Sequence, residues 1–183
     1  MGSDLSRSLR AWRARRLRRV VVVGLDNSGK TTAVRQIKGV EPSGSVPTTE
    51  AEYREASYKG LTLLLTDVGG QQYLRPYWRH HFTGAQGVIY VVDSADRDRF
   101  QDARNELRVI LVDGQIKGVP VVLFANKQDG DGAASLDDVR AAVLPDQDRR
   151  ASDRPIGVFG GSALRGDGLF DALDWLSARM KPV

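Results

Sequence analysis

Four short apolar runs alternate along the chain with segments whose apolar residues recur every three or four positions. The uninterrupted runs are typical of strands buried on both faces, and the periodic segments are typical of amphipathic helices. Predicted strands cover residues 20–23, 87–92, 119–124 and 156–159. Predicted helices cover residues 31–38, 98–112 and 169–180, and a further helix begins at Ser135 and ends by Pro145.

Residues 51–58 and 61–66 are predicted to form a hairpin, because two strand-like segments flank a tight turn at Lys59 and Gly60. Strands that alternate with helices elsewhere favour a parallel sheet covered on both sides. The predicted fold class is therefore α/β: a mostly parallel sheet with one antiparallel hairpin strand and helices on both faces.

The segments that carry candidate chemistry each follow directly after a predicted strand. They are residues 24–31, 67–71, 126–129 and 162–164. In sheets of this kind, ligands bind in the crevice beyond the carboxyl ends of the strands. The four loops are therefore expected to meet at one site.

The first of these loops fits the phosphate-binding pattern G-x-x-x-x-G-K-[ST]. Its glycines let successive backbone N–H groups face phosphate oxygens, and the helix that follows adds its positive end. Lys30 is predicted to reach the β- and γ-phosphates, and the Thr31 hydroxyl to ligate Mg²⁺. An ordinary glycine-rich turn would leave this Lys-Thr pair unexplained. The predicted phosphate-binding residues are Gly24, Leu25, Asp26, Asn27, Ser28, Gly29, Lys30, Thr31 and Thr32.

The later loops indicate which base is bound. A carboxylate at Asp129 accepts hydrogen bonds from N1–H and the exocyclic amine of guanine, and adenine offers neither donor in that arrangement. Lys127 is expected to lie over the base, and Asn126 to tie this loop to the phosphate loop. A P-loop kinase or ATPase is correspondingly disfavoured. The backbone N–H that would donate to guanine O6 is expected from Ser162, Ala163 or Leu164.

The composition fits one soluble domain of 183 residues, with 41% hydrophobic and 27% charged residues. The absence of cysteine excludes disulfides, thiolate metal sites, prenylation and palmitoylation. No apolar run approaches the roughly 20 residues of a membrane span, and no secretory signal is recognised. We expect a cytoplasmic protein that is peripheral on a membrane.

The net charge of +4 is concentrated in residues 1–19, which hold seven arginines and one acid. Residues 20–183 therefore carry 20 basic and 22 acidic residues, which argues against a nucleic-acid-binding surface. Leu5, Leu9 and Trp12 share one helical face among the arginines, a pattern typical of membrane-surface helices. Gly2 also fits the N-myristoylation pattern. The alternatives are a disordered arginine-rich end and a Met-Gly-Ser start of recombinant origin.

Taken together, these motifs resemble the ADP-ribosylation factor (Arf) and Arf-like family of small GTPases, over essentially the whole chain. A basic arm (1–19) would precede a GTPase domain (20–183). The motifs that carry the resemblance are the phosphate loop, Pro47-Thr48, Asp67-Val68-Gly69-Gly70-Gln71, Arg75-Pro76-Tyr77-Trp78-Arg79-His80, Val91-Val92-Asp93-Ser94-Ala95-Asp96-Arg97 and Ala125-Asn126-Lys127-Gln128-Asp129.

The resemblance implies roles for the residues around the phosphates. Thr31 and Thr48 would ligate Mg²⁺, with Asp67 acting through water and Thr48 marking switch 1. Gly70 would bond the γ-phosphate through its N–H and mark switch 2, and Gln71 would orient the attacking water.

The resemblance also implies regulation. Asp26 stands where Ras-like proteins have glycine and would crowd the γ-phosphate region, so slow intrinsic hydrolysis is expected. A monomeric switch would then depend on an exchange factor, an activating protein and effectors that contact switches 1 and 2. The hairpin 51–66 would shift register with the nucleotide and displace the N-terminal helix, so that membrane attachment reports GTP.

Several positions depart from the family pattern at its effector-binding surface. Thr49-Glu50-Ala51-Glu52 replaces Ile-Gly-Phe-Asn, Thr66 replaces tryptophan, and His81 replaces tyrosine. Effectors different from those of the coat-recruiting members are therefore expected, and the chain resembles a divergent Arf-like protein. The aromatic residues within 72–82 could pack on the core as a helix or bind a partner, and no catalytic role is assigned to His80 or His81.

Two functions remain open from the sequence. The first is a GTP-hydrolysing molecular switch that recruits effectors at a membrane. The second is a GTP-binding interaction module with little hydrolysis. Gln71 favours the first, and the altered segment after Thr48 keeps the second open.

Overall fold

Six strands form a single sheet in the computed structural model, which describes residues 17–39, 51–144 and 154–181. They lie in the order β2-β3-β1-β4-β5-β6, and β2 is the one antiparallel strand. Their bounds are β1 Leu17–Val23, β2 Glu52–Tyr58, β3 Leu61–Asp67, β4 Gly87–Asp93, β5 Val121–Asn126 and β6 Ile156–Gly160. The predicted fold class is confirmed.

Four α-helices cover the two faces of this sheet within the described residues. They are α1 Lys30–Lys38, α2 Phe100–Val112, α3 Leu136–Val143 and α4 Leu169–Ser177. Along β4, Val88 and Tyr90 point into a core shared with α2 and α3, whereas Ile89 and Val91 point into a second core shared with α1 and α4. Because successive side chains of a strand face opposite ways, a fully apolar strand supplies both cores at once.

Strand β1 begins three residues earlier than the apolar run indicated. Arg18 and Arg19, which the sequence assigned to the basic arm, pair in parallel register with Leu63 and Leu64 of β3. The Arg18 side chain is buried, and the Arg19 carbonyl accepts a hydrogen bond of 2.8 Å from the Gln86 amide. Strands pair through backbone hydrogen bonds, and an arginine can bury its aliphatic stem, so the charged residues did not mark where the strand begins.

The aromatic segment 72–82 contains a short 3₁₀ helix, Arg75–His81. Within it Trp78 is buried and donates a hydrogen bond of 2.8 Å from Nε1 to the Gly69 carbonyl. Tyr73 and Tyr77 are exposed. Packing on the core is therefore supported by the buried Trp78, and the partner-binding interpretation is supported by the exposed Tyr73 and Tyr77.

Two helix boundaries follow from local sequence signals. Gly39, in the left-handed conformation, ends α1 as predicted. Ser135 caps α3 by accepting a hydrogen bond of 3.1 Å from the Asp138 amide. Residues 1–16 of the predicted arm, which include Gly2, and the loop 40–50 with Thr48 lie outside the described residues.

Candidate nucleotide-binding site

The loops that follow β1, β3, β5 and β6 meet at one edge of the sheet, as their positions after strands predicted. The register places Val22 beside Asp67 and Asp93 beside Asn126, so the carboxyl ends of neighbouring strands lie side by side. The convergence of the four motif loops is confirmed within the described residues.

The phosphate loop is built on glycines that other residues could not replace without distortion. Gly24 has a φ of 146°, and a Cβ there would lie 2.2 Å from the Val91 carbonyl oxygen. Gly29 has a φ of 95°, and its Cβ would lie 2.2 Å from Nδ2 of Asn126. Gly29 also begins α1, whose first turn has no side-chain cap. The backbone N–H groups at the start of this helix therefore form a suitable cradle for an anion.

Lys30 is buried directly behind this loop. Its ammonium donates a hydrogen bond of 2.8 Å to the Leu25 carbonyl, its one hydrogen bond among the described residues. Burial lowers the Lys30 pKa from 10.5 to about 8, although the negative charges of Asp67 and Asp26 act to raise it. A buried ammonium has three donors, so this group fits a phosphate that would satisfy its remaining donors and stabilise its charge.

Thr31 and Asp67 form the candidate metal site. The Thr31 hydroxyl donates to Oδ2 of Asp67 at 2.6 Å. Asp67 is fully buried, which raises the pKa of its carboxyl, and its Oδ1 has no hydrogen-bond partner among the described residues. An unpaired buried carboxylate oxygen beside a hydroxyl fits a hydrated Mg²⁺, which typically takes one or two protein ligands, substrate phosphates and water.

Asn126, at the end of β5, connects the phosphate loop to the loop that follows β6. Its Nδ2 donates to the Ser28 carbonyl at 2.8 Å, and its Oδ1 accepts from the Ala163 amide at 2.7 Å. The Ser162 amide donates to the Asp167 carbonyl at 3.0 Å. Of the three N–H groups considered for guanine O6, that of Leu164 is therefore the one without an intrachain acceptor among the described residues.

Lys127 and Asp129 lie on the same loop, and each faces an opposite charge. Lys127 has a φ of 63° and forms an ion pair of 2.6 Å with Asp93 at the end of β4. The Asp129 carboxylate lies 3.7 Å from Nε of Arg165. The Asp129 side chain therefore lies on the loop from which the sequence predicts contact with guanine.

Switch 2 packs directly against the phosphate loop. The Asp26 amide donates to the Gly70 carbonyl at 3.1 Å, and a Cβ on Gly70 would lie 2.4 Å from the Asp26 nitrogen and 2.5 Å from Nζ of Lys30. The next residue, Gln71, buries its Oε1 without a hydrogen-bond partner among the described residues. The predicted γ-phosphate sensor, Gly70, therefore lies at the phosphate loop, and the predicted water-orienting residue, Gln71, directly follows it in the chain.

Two arginines at this site were not predicted as functional. Arg99 donates to Oδ1 of Asp26 at 3.0 Å, and Arg75 approaches the same oxygen at 3.6 Å. Arg75 belongs to a motif quoted for the family resemblance, but nothing in the sequence pairs either arginine with a residue 49 or 73 positions away. The Asp26 carboxylate was expected to crowd the γ-phosphate region, and the structure shows it engaged by these two guanidinium groups.

The three departures from the family pattern lie where the family's effector-binding surface was expected. Thr66 is buried, Ala51 is partly buried against the core, and His81 lies beside the exposed Tyr53, with Nδ1 3.4 Å from the tyrosine hydroxyl. Burial, with a smaller contribution from His80, lowers the His81 pKa below its ordinary value of 6.5. His81 therefore contacts the exposed Tyr53, whereas Thr66 is buried.

Two groups of known proteins resemble the chain. ADP-ribosylation factor 3 of Arabidopsis thaliana and ADP-ribosylation factor 1 of Brassica rapa subsp. pekinensis are each 42% identical to it over 164 residues, covering 89% of this chain and 88% of theirs. The solved structure of the Arl6 (BBS3) small GTPase from Trypanosoma brucei, with the nucleotide analogue GppNp bound, is 28% identical with a TM-score of 0.77, covering 88% of this chain and 96% of that one. No helix in the described ranges is long and apolar enough to cross a bilayer.

A sequence model of the ADP-ribosylation factor family matches residues 4–180, nearly the full length of the chain. Small GTPases of this family bind GTP or GDP together with Mg²⁺. The chain therefore belongs to the ADP-ribosylation factor family of small GTPases.

Proposed function

We propose that the chain is a GTP-hydrolysing switch whose GTP form recruits effectors at a membrane surface. The observation that carries the hydrolytic part is the position of switch 2. Gly70 lies against the phosphate loop, and Gln71 follows it with a buried acceptor, Oε1, that has no partner among the described residues. An acceptor of this kind suits a water molecule that donates a hydrogen bond to it and is thereby oriented to attack the γ-phosphate.

Hydrolysis is tested by single-turnover measurements on GTP-loaded protein. We expect slow hydrolysis in the wild type and at least a tenfold slower rate in Gln71→Leu, with unchanged GTP affinity. Gln72→Leu is the matched control, because Gln72 is the exposed neighbour in the same loop. Equal rates in the wild type and Gln71→Leu would instead favour a GTP-binding module with little hydrolysis, the function that the altered segment after Thr48 keeps open.

The metal and nucleotide roles are proposed for the residues that the sequence identified. Thr31, together with Thr48 in switch 1, would ligate Mg²⁺ directly, and Asp67 would bind it through water. The unpaired Oδ1 of Asp67 supports this role. Chelation of Mg²⁺ should accelerate GDP release from the wild type, whereas Asp67→Asn should release GDP quickly with or without chelator. A chelator response in Asp67→Asn equal to that of the wild type would contradict this assignment.

The base-binding roles are proposed in the same way. Asp129 would accept from guanine, Lys127 would cover the base, and one amide of the 162–164 loop would donate to O6. The bonds of Asn126 to Ser28 and Ala163 support a fixed geometry between base and phosphates. Asp129→Asn should weaken GDP binding and strengthen xanthosine diphosphate binding, because the amide offers a donor to the extra base oxygen.

Membrane attachment is proposed through the basic arm, with Gly2 as the acylation site, which makes the protein cytoplasmic and peripheral on a membrane. Flotation with vesicles that contain anionic lipid tests it on the full chain. We expect binding that favours the GTP form and falls in Gly2→Ala and after deletion of residues 1–16. Undiminished binding after that deletion would overturn the role of the arm.

Effector contact is proposed at the exposed tyrosines of switch 2 and the hairpin. Tyr53, Tyr73 and Tyr77 expose 58%, 65% and 57% of their surface, which suits a partner-binding surface. Partners retained by GTP-loaded Gln71→Leu, but not by the GDP form, should be lost in Gln71→Leu combined with Tyr77→Ala. Exchange factors and activating proteins would use the same switches.

A further inference from the structure

The Asp26 carboxylate lies within a line of alternating charges that crosses the phosphate loop. Arg99 reaches Asp26 twice, from Nη1 to Oδ1 at 3.0 Å and from Nη2 to the backbone carbonyl at 3.3 Å. Asp96 holds the same guanidinium at Nε (2.6 Å) and Nη2 (2.5 Å). Because Arg99 donates hydrogen bonds to both the side chain and the backbone of Asp26, it restrains the conformation of the loop and also neutralises the Asp26 carboxylate.

Arg75 completes this line from the side of switch 2. Its side chain is only 10% exposed, and its Nη2 lies 3.6 Å from Oδ1 of Asp26. Its Nε donates to the Gly70 carbonyl at 3.2 Å, and its Nη1 bonds Glu106 on α2 at 3.4 Å. The Gly70 carbonyl also accepts from the Asp26 amide. Asp26 and Gly70 are therefore tied together through Arg75.

The two arginines lie beside a carboxylate, that of Asp26, which stands in a loop predicted to bind phosphates. A carboxylate in a phosphate loop repels the nucleotide, and GTP carries one more charged phosphate than GDP. Within the described part of the chain, the cation closest to the Asp26 carboxylate is Arg99, and the side chain of Asp26 is 46% exposed. Loss of Arg99 would leave Asp26 and Asp96 as two under-neutralised carboxylates near the phosphates.

We propose that Arg99 is a positioning residue that neutralises and holds Asp26, so that the phosphate loop retains GTP despite its own carboxylate. Arg75 shares this role and transmits it to Gly70. The inference rests on the proposed binding of GTP at this loop. It assigns to Arg99 a selective effect on the triphosphate, because the γ-phosphate adds the charge that an unneutralised Asp26 would oppose.

The test compares dissociation rates of GppNp and GDP from GDP- or GppNp-loaded full-length protein. For Arg99→Ala we expect GppNp release to accelerate about tenfold or more and GDP release by less than about threefold, as expected for like charges at short range. Raising the ionic strength should reduce this difference because salt screens the repulsion. Arg97→Ala is the matched control, since Arg97 pairs with the distant Asp138 at 3.9 Å and should leave both rates unchanged.

The double variant Arg99→Ala with Asp26→Asn decides between charge and packing. The amide keeps the size of the side chain and removes its charge, so we expect GppNp release to return to within about twofold of the Asp26→Asn single variant. Equal acceleration of both nucleotides, or no rescue by Asp26→Asn, would overturn the proposal. If Arg99→Ala does not fold, Arg99→Lys supplies the comparison, with a smaller GppNp-selective defect expected. Failure of the wild type to bind GppNp would instead refute the proposed function.

Discussion

Replacing Asn126 with alanine tests how the separate loops are held as one site. Asn126 is only 3% exposed and makes one hydrogen bond to the Ser28 carbonyl and one to the Ala163 amide. Ser28 and Ala163 are themselves nearly inaccessible to water. Asn126→Ala would therefore leave one buried acceptor and one buried donor without their partner, in two loops that are otherwise far apart in sequence.

The magnitude follows from those two groups. A buried polar group left unsatisfied costs about 1–3 kcal/mol, so the variant should lose about 2–6 kcal/mol of its free energy of unfolding. Since whole domains are stable by about 5–15 kcal/mol, this loss is a large fraction. For a domain of this size it corresponds to a decrease in Tm of about 5–20 °C. Nucleotide release should also accelerate, because binding must then order both loops.

Urea unfolding at a fixed saturating concentration of GDP and Mg²⁺ measures this loss, and release of a fluorescent GDP analogue measures the second effect. Asn105→Ala is the matched control, because the exposed Asn105 accepts a single hydrogen bond, from Gln101 at 3.0 Å. We expect the control to change stability by less than about 0.5 kcal/mol. A loss below about 1 kcal/mol for Asn126→Ala, close to that of the control, would refute the view that this side chain holds the site together.

Three further predictions concern residues 70–81, which follow β3. Gly70→Ala should weaken GppNp binding more than GDP binding, because its Cβ would lie 2.4 Å from a phosphate-loop nitrogen; equal weakening in titrations would contradict this. Trp78→Phe should lower the free energy of unfolding by about 1–3 kcal/mol, because the Gly69 carbonyl loses its buried donor; unchanged denaturant midpoints would refute it. His81 should titrate below pH 6.5 in NMR, because burial and the charge of His80 lower its pKa. The folded state then binds this proton less readily than the unfolded state, so the free energy of unfolding falls as the pH drops below 6.5. An NMR titration midpoint of His81 at or above pH 6.5 would contradict this.

The sequence alone determined the elements and loops whose signals are local. Glycines at positions 24 and 29, before the Lys30-Thr31 pair, specify a loop that requires positive φ, and both glycines adopt it. The apolar runs predicted buried strands, and Ser135 and Gly39 marked helix ends because caps act within one turn. Since parallel strands place their following loops at one edge, the meeting of the four motifs was also predictable.

Where the sequence misled, a local signal competed with a longer-range one. The arginines before Val20 were assigned to an arm, yet β3 offered Arg18 and Arg19 backbone partners that do not depend on side-chain charge. The aromatic segment 72–82 does contain a helix packed on the core, as one interpretation predicted, but its composition did not indicate that this helix is 3₁₀ or that Trp78 is its buried residue. Packing against Gly69 and the core decides this, and no periodicity encodes it.

Only the tertiary structure decided how the charges around the phosphate loop are paired. Asp26 was identified as an unusual carboxylate, but its partners Arg75 and Arg99 lie on segments that approach it only when the sheet is complete. The chain also contains many arginines, so composition cannot indicate which two will be adjacent to Asp26. Backbone preferences depend on consecutive residues, so the sequence alone determined the conformation of the phosphate loop. Ion pairs depend on distances that only folding creates, so the tertiary structure determined which charges surround that loop.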